Sequence, residues 1–157
     1  MYPADPGKQD TNETALELMQ EFRLSFGVIR ILSHDIMEVV VDEGVEMDLE
    51  QVAEYHEFII DRMPYGCGIL VNKANSYTYN FEAQQNIFLK ERVKAFALLV
   101  HNTSAKLASE SLILMQRGRI DCEIKIFDDF DMALQWLADQ VNVAKPDVAP
   151  KFFPEKR

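Results

Sequence analysis

Cysteine is scarce: Cys67 and Cys122 are the only two among 157 residues. Each falls in a strand-like segment, so a disulfide framework is excluded and two reduced, partly buried thiols in a cytoplasmic protein are expected. Long apolar runs are lacking too. The longest, such as Ala95–Val100, fall far short of the roughly 20 residues that cross a bilayer. Met1–Thr14 (MYPADPGKQDTNET) has neither the basic start nor the apolar stretch of a secretory signal. Basic charge is in deficit, with 16 Lys and Arg against 26 Asp and Glu and a formal net charge of -10. Such a field repels the phosphates of nucleic acids and anionic lipids. Lys90, Arg92 and Lys94 come nearest to a basic run, but Glu91 and Val93 interrupt them. Neither a nucleic-acid partner nor a membrane span is expected.

Glycine is sparse as well. Its six copies form no G-x-G-x-x-G or G-x-x-x-x-G-K, and Gly66-Cys67-Gly68 precedes a strand, so no phosphate cradle for a nucleotide cofactor is visible. His34, His56 and His101 are scattered, with no Cys-x-x-Cys or His-x-x-x-His spacing, and metal and cofactor binding are therefore not expected.

What is present suits an ordinary globular domain: 48% hydrophobic and 27% charged residues. A chain of this length builds one core. The expected organisation is a poorly ordered segment over residues 1–14, one domain over 15–144 and a Pro-rich tail over 145–157. Phe152 and Phe153 in that tail either dock on the body or a partner, or are loosely held.

Phe22–Leu32 and Ile36–Val41 are rich in β-branched and aromatic residues around a break at Ser33, His34 and Asp35, which predicts an antiparallel hairpin. Gly27 is expected to mark a bulge or kink. Asp48 followed by Gln51 reads as a capping box, and Leu49, Val52, Tyr55 or His56, Ile59, Ile60 and Met63 then recur at helical spacing until Pro64. Glu50, Glu54, Glu57 and Asp61 form the solvated side.

Cys67–Val71 and Ala95–Val100 are almost wholly apolar, as strands covered on both faces are. Between them Asn80 caps a second helix through Phe81, Ala83, Gln84, Ile87 and Phe88. After Val100 the polar stretch His101–Ser104, with Thr103 and Ser104 as caps, opens a third helix that stops at Gly118. Cys122–Phe127 alternates like a strand nearer the edge, and Asp128 or Asp129 caps a last helix whose Phe130, Ala133, Leu134, Leu137 and Val141 form one stripe. The predicted class is α/β: a mixed five-stranded sheet in the order ββαβαβαβα, with helices packed mainly on one face.

That order resembles the SpoIIAA-like family, which shares the STAS fold with anti-sigma factor antagonists. The resemblance is carried by Asp42–Glu50 (DEGVEMDLE), Ile69–Asn72 (ILVN), Asn80–Ala83 (NFEA), Ala95–Val100 (AFALLV) and Ile126–Leu137 (IFDDFDMALQWL), and covers Phe26 to Gln140. It implies function through protein contacts or ligand binding rather than bond-making. The antagonists are phosphorylated on a Ser at the start of the second helix. Here that start is Asn80, with Ser76 and Thr78 upstream, so the phosphoacceptor is unmatched. The fold is also similar to the lipid-carrying CRAL-TRIO class, though a shared fold does not establish a shared ligand.

The most unusual stretch is Asn72–Asn80 (NKANSYTYN), at the carboxyl end of a central strand, where open α/β sheets bind ligands. A binding loop there uses Asn72, Asn75, Ser76 and Thr78 for hydrogen bonds, and Tyr77 and Tyr79 for flat contact area, up to Asn80. His101, Asn102, Thr103 and Ser104 end the next strand and are expected beside it, forming one surface. His beside Thr and Ser suggests nucleophilic catalysis, but no Gly-x-Ser-x-Gly elbow or orienting carboxylate accompanies it. The leading expectation is therefore a non-catalytic interaction module. A carrier or sensor of a small apolar ligand comes second, and an enzyme of unrecognised type third. Phe81 and Phe88, with Leu112, Leu114 and Met115, exceed what one buried face per helix needs. The second and third helices are accordingly expected to meet a protein partner or a second copy.

Overall fold

The computed structural model describes residues 20–89, 92–116 and 122–148. The segment Met1–Thr14, the cation Lys90, the stop expected at Gly118 and the pair Phe152 and Phe153 lie outside those residues.

The hairpin forms as predicted. β2 (Gly27–Ser33) and β3 (Ile36–Val41) run antiparallel around a turn in which Ser33 Oγ donates to Asp35 Oδ1 at 3.0 Å. Gly27 has a different purpose from the expected bulge. A Cβ there would stand 2.2 Å from the Val40 carbonyl oxygen, so the close approach of two backbones requires glycine, while the register irregularity lies between Ile31 and Ser33. The strand expected from Phe22 to Leu32 is broken. The Leu24 N–H bonds the Gly27 carbonyl at 2.8 Å, which folds Glu21–Arg23 back as a separate edge strand, β1 (Glu21–Arg23).

A short pair, β4 (Glu46–Met47) and β6 (Thr78–Tyr79), forms its own two-stranded parallel ladder. β5 (Cys67–Lys73), β7 (Val93–Val100) and β8 (Glu123–Phe127) lie parallel to β3, and the main sheet has the order β1-β2-β3-β5-β7-β8. The class is mixed α/β with a mostly parallel sheet, as the sequence predicts. The main sheet has six strands and not five because β1 is distinct.

α1 (Leu49–Arg62) starts on the predicted capping box. Gln51 N–H donates to Asp48 Oδ1 at 2.8 Å, and the Gln51 side chain accepts from the Asp48 N–H at 3.2 Å. α2 (Phe81–Asn86) is capped by Asn80, whose Oδ1 accepts the Ala83 N–H at 2.8 Å. α3 (Thr103–Gln116) is capped by Asn102, not by Thr103 or Ser104. Its Oδ1 accepts the Ala105 N–H at 2.8 Å, so the two hydroxyl residues sit inside the first turn. α4 (Phe130–Val148) is capped by Asp129 through the Met132 N–H at 2.9 Å, and it continues past the tail boundary expected at Lys145.

The three crossover helices step across the sheet in one direction, so the right-handed rule places them on one face. There Val52, Tyr55 and Ile59 of α1, Ala83 of α2 and Ile113 of α3 pack with Met37, Ile69, Phe96 and Leu98. α4 follows the last strand and returns over the opposite face, where Ala133 and Leu137 pack on Ile36, Leu70, Ala95, Ala97 and Leu99. Small residues make this return possible. A Cβ on Gly68 would meet Leu137 Cδ2 at 3.1 Å and Val141 Cγ2 at 3.2 Å, and Ala95 and Ala97 continue the same trough on β7. Burying Leu137 there stabilises the fold by about 2 kcal/mol. Helices thus lie mainly on one face, three against one.

Candidate functional site

β5 and β7 pair in parallel with Lys73 opposite Val100, which brings the loops leaving both strands side by side at the carboxyl edge. Between them opens a cleft of about 360 Å³. Residues Lys73–Thr78 line one wall, Asn102, Ser104, Ala105, Ala108 and Ser109 line the other, and Glu43, Gly44 and Val45 close the end. The first wall is held by the segment before α1: Asn75 Nδ2 donates to the Val41 carbonyl at 2.9 Å, Ser76 N–H to Glu43 Oε1 at 3.0 Å, and Thr78 N–H to the Val45 carbonyl at 3.0 Å. The β4–β6 ladder extends that zip. These bonds fix the loop's shape, and the side chains of Ser76 and Thr78 on this wall, and of Asn102 and Ser104 on the other, are exposed.

The tyrosines do not offer the flat contact area expected of them. Tyr77 and Tyr79 turn inward and pack on the core under the three helices, edge to face with ring centroids 5.5 Å apart. Alternation explains this, since in a short strand every second side chain points to the interior. Burial, with the Tyr79 hydroxyl beside it, pushes the Tyr77 phenol well above its ordinary pKa. Its oxygen accepts from Lys73 Nζ at 2.8 Å, and the same ammonium lies 4.7 Å from the Tyr77 ring centroid.

Asn72 and His101 belong to the rim but point away from the cleft, toward the face that carries α4. There they end a polar row that sequence inspection missed. Glu21 accepts from Arg30 Nε at 3.1 Å, Glu38 Oε1 accepts from Arg30 Nη1 at 3.0 Å, and Glu38 Oε2 accepts from Asn72 Nδ2 at 2.9 Å. Asn72 Oδ1 meets His101 Nε2 at 2.7 Å. One residue from each of β1, β2, β3 and β5, with the residue after β7, makes the row. Glu38 is its buried centre, at 4% exposure. Both carboxylates raise the Arg30 pKa, Glu38 first. An ionised Glu38 only accepts, so Asn72 presents its NH₂ to it and its oxygen to His101, and His101 Nε2 carries the proton. A charge amid apolar neighbours in GVIRILS and IMEVVV was the available signal.

The predicted rim residues thus divide. Asn75, Ser76, Tyr77, Thr78, Asn102 and Ser104 line the cleft, Asn72 and His101 join the row, Asn80 caps α2, and Tyr79 is in the core. Thr103 is exposed in the first turn of α3. His101 is bonded to an amide and not to a hydroxyl, so no Ser–His couple forms. Among the described residues, no group of three or more His, Cys, Asp or Glu is placed to hold a metal ion, and no helix is long and apolar enough to cross a membrane.

Two residues that border the cleft, Ser109 and Lys73, carry polar groups that no ion pair holds among the described residues. Ser109 is 1% exposed, and its Oγ has no hydrogen-bond partner among the described residues. Lys73, half-buried, has no carboxylate within ion-pair distance among them.

An apolar cavity between the sheet and α1–α3, lined by Phe26, Tyr55, Phe88 and Leu112 among others, encloses about 20 Å³. That holds little more than one water, whereas ligand sites run to roughly 300–1,000 Å³. On α2 and α3, Phe81, Leu107, Leu114 and Met115 are exposed. Phe88 and Leu112, counted with them from the sequence, are instead used inside: Phe88 packs on Phe96 with ring centroids 4.7 Å apart, and Leu112 is buried.

No family model and no curated protein matches the chain. Among solved structures, an uncharacterised protein of the DUF3478 family with a SpoIIAA-like fold, from Shewanella loihica, is similar. It is 13% identical with a TM-score of 0.47, covering 75% of this chain and 90% of that one. Its role is undefined, and the mixed α/β assignment rests on the strand order described above.

Proposed function

We propose that the protein is a non-catalytic, regulatory binding module whose recognition surface is the carboxyl-edge cleft between the Lys73–Thr78 and Asn102–Ser109 walls. One observation carries this: two polar walls, with exposed Ser76, Thr78, Asn102 and Ser104, meet in a cleft of ligand size. The His101 ring, committed to Asn72, supports binding over nucleophilic chemistry. A cytoplasmic setting, free of disulfides, suits the two cysteines.

Ala108, exposed on the cleft wall, gives the test. Ala108→Trp fills the cleft without touching the core, and it is expected to abolish whatever the wild type retains in native mass spectrometry and affinity capture from its own cells. Equal retention by the variant contradicts the assignment. A carrier of small apolar molecules requires α1–α3 to move off the sheet, and a lipid-sized mass retained by both proteins would support it. Self-association through α2 and α3 rests on exposed Phe81, Leu107, Leu114 and Met115. A monomer by light scattering at high concentration removes it.

A further inference from the structure

We propose that β8 is the contact strand of a homodimer, pairing antiparallel with β8 of a second copy about Ile124, so that Glu123 of each copy meets Lys125 of the other. β8 ends the main sheet, and among the described residues no strand pairs with its outer side. An edge strand directs the N–H and C=O of every second residue away from the sheet, where another strand can take them. The two edges of this sheet differ in what their charges do. On β1, Glu21 is held by Arg30 and Arg23 by Asp42, all within the chain. On β8, Glu123 and Lys125 are exposed, and neither joins an ion pair among the described residues.

Alternation puts these two charges on one face, since Glu123 and Lys125 pair with Ala95 and Ala97, which pack under α4. Ile124 and Ile126 point to the other face and pack on the core beneath α1–α3. Both faces continue across the junction only if isoleucine positions meet each other and charged positions do the same. With the two-fold axis at Ile124, an antiparallel pair sets Ile124 on Ile124 and makes two Glu123–Lys125 contacts. Moving the axis to Glu123 or to Lys125 sets like charges opposite each other. A lysine in mid-edge ordinarily repels strand addition. Glu123, two residues away, makes this chain's own β8 the strand that accepts it. Phe127 and Trp136, half-buried with ring centroids 5.5 Å apart, form an apolar border at one end of the edge, which gives the second copy area to cover beyond the strand itself. None of Glu123–Phe127 lines the cleft, so this interface and the recognition surface are separate.

Sedimentation velocity of the full chain from micromolar to millimolar concentration tests this, with Trp136, the chain's only tryptophan, as a fluorescence reporter beside the edge. A concentration-dependent dimer is expected for the wild type. Glu123→Lys and Lys125→Glu should each weaken it about tenfold or more, because each replaces two opposite-charge contacts by two like-charge ones. Mixed in equal amounts, those two variants should form a heterodimer about as tight as the wild-type dimer, since two lysines then face two glutamates. Cooperative urea unfolding of each variant separates lost pairing from lost folding. A wild type that stays monomeric throughout, single variants that dimerise like wild type, or a mixture that stays monomeric overturns the proposal. A dimer that ignores both charge substitutions but is lost in Leu114→Asp overturns it too, and assigns self-association to α2 and α3. So does a monomeric chain whose edge is filled by a strand of a different protein.

Discussion

Replacing Arg30 by leucine should destabilise the protein far more than replacing Arg30 and Glu38 together. The Glu38 carboxylate is held by Arg30 Nη1 at 3.0 Å and Asn72 Nδ2 at 2.9 Å, with its side chain 5% exposed. Arg30→Leu leaves that buried charge with one amide donor. Breaking a buried pair costs about 3–5 kcal/mol. The Arg30 side chain is 40% exposed, so water already screens part of the pair, and with the Asn72 bond retained the expected cost is about 2 kcal/mol. Arg30→Leu with Glu38→Leu removes both charges and lets apolar side chains meet across the ladder. That double variant should lie within about 1 kcal/mol of wild type. Urea unfolding of the wild type, both single variants and the double variant gives the coupling. A double variant less stable than Arg30→Leu, or an Arg30→Leu cost below about 0.5 kcal/mol, refutes the view that Arg30 neutralises a buried carboxylate.

Three further outcomes follow from the packing. Burial pushes the Cys67 thiol from 9.0 up to about 12, so the folded state keeps a proton that the unfolded chain releases; stability should fall as pH rises above 9.0, losing about 4 kcal/mol by pH 12, and Cys67→Ala should flatten that part of the alkaline unfolding profile. Tyr77→Ala with Tyr79→Ala should cost about 3–5 kcal/mol in thermal or urea unfolding, because both rings pack on the core; a double variant as stable as wild type would mean the rings are at the surface. On α4, Leu137→Ala should cost about 3 kcal/mol and Gly68→Val about 2, by opening or overfilling one trough, and unchanged urea midpoints would remove α4 from that face.

The fold was largely legible because its strongest signals are local. Asp48 and Gln51, Asn80 and Asp129 are caps in the structure as in the sequence, and the apolar runs Cys67–Val71 and Ala95–Val100 are central strands. Weak or long-range features were harder. β1 separates from β2 through one backbone bond at Leu24, and β4 and β6 are two-residue strands in polar segments that follow no period. The site was half legible. Strand ends and βα loops placed Asn72–Asn80 beside His101–Ser104, but side-chain direction depends on register. That register sent Tyr77 and Tyr79 inward and gave Asn72 to His101. Arg30 and Glu38 were visible as charges inside strands, yet only their pairing across the hairpin shows why they are tolerated.

Amide chemical-shift mapping of the labelled protein, titrated with the small-molecule fraction of its own cells, tests the central assignment most directly. Recognition at the carboxyl-edge cleft predicts that shifts concentrate in Lys73–Thr78 and Asn102–Ser109 and vanish in Ala108→Trp. Shifts concentrated on the outer surface of α1, or along β8, would contradict it.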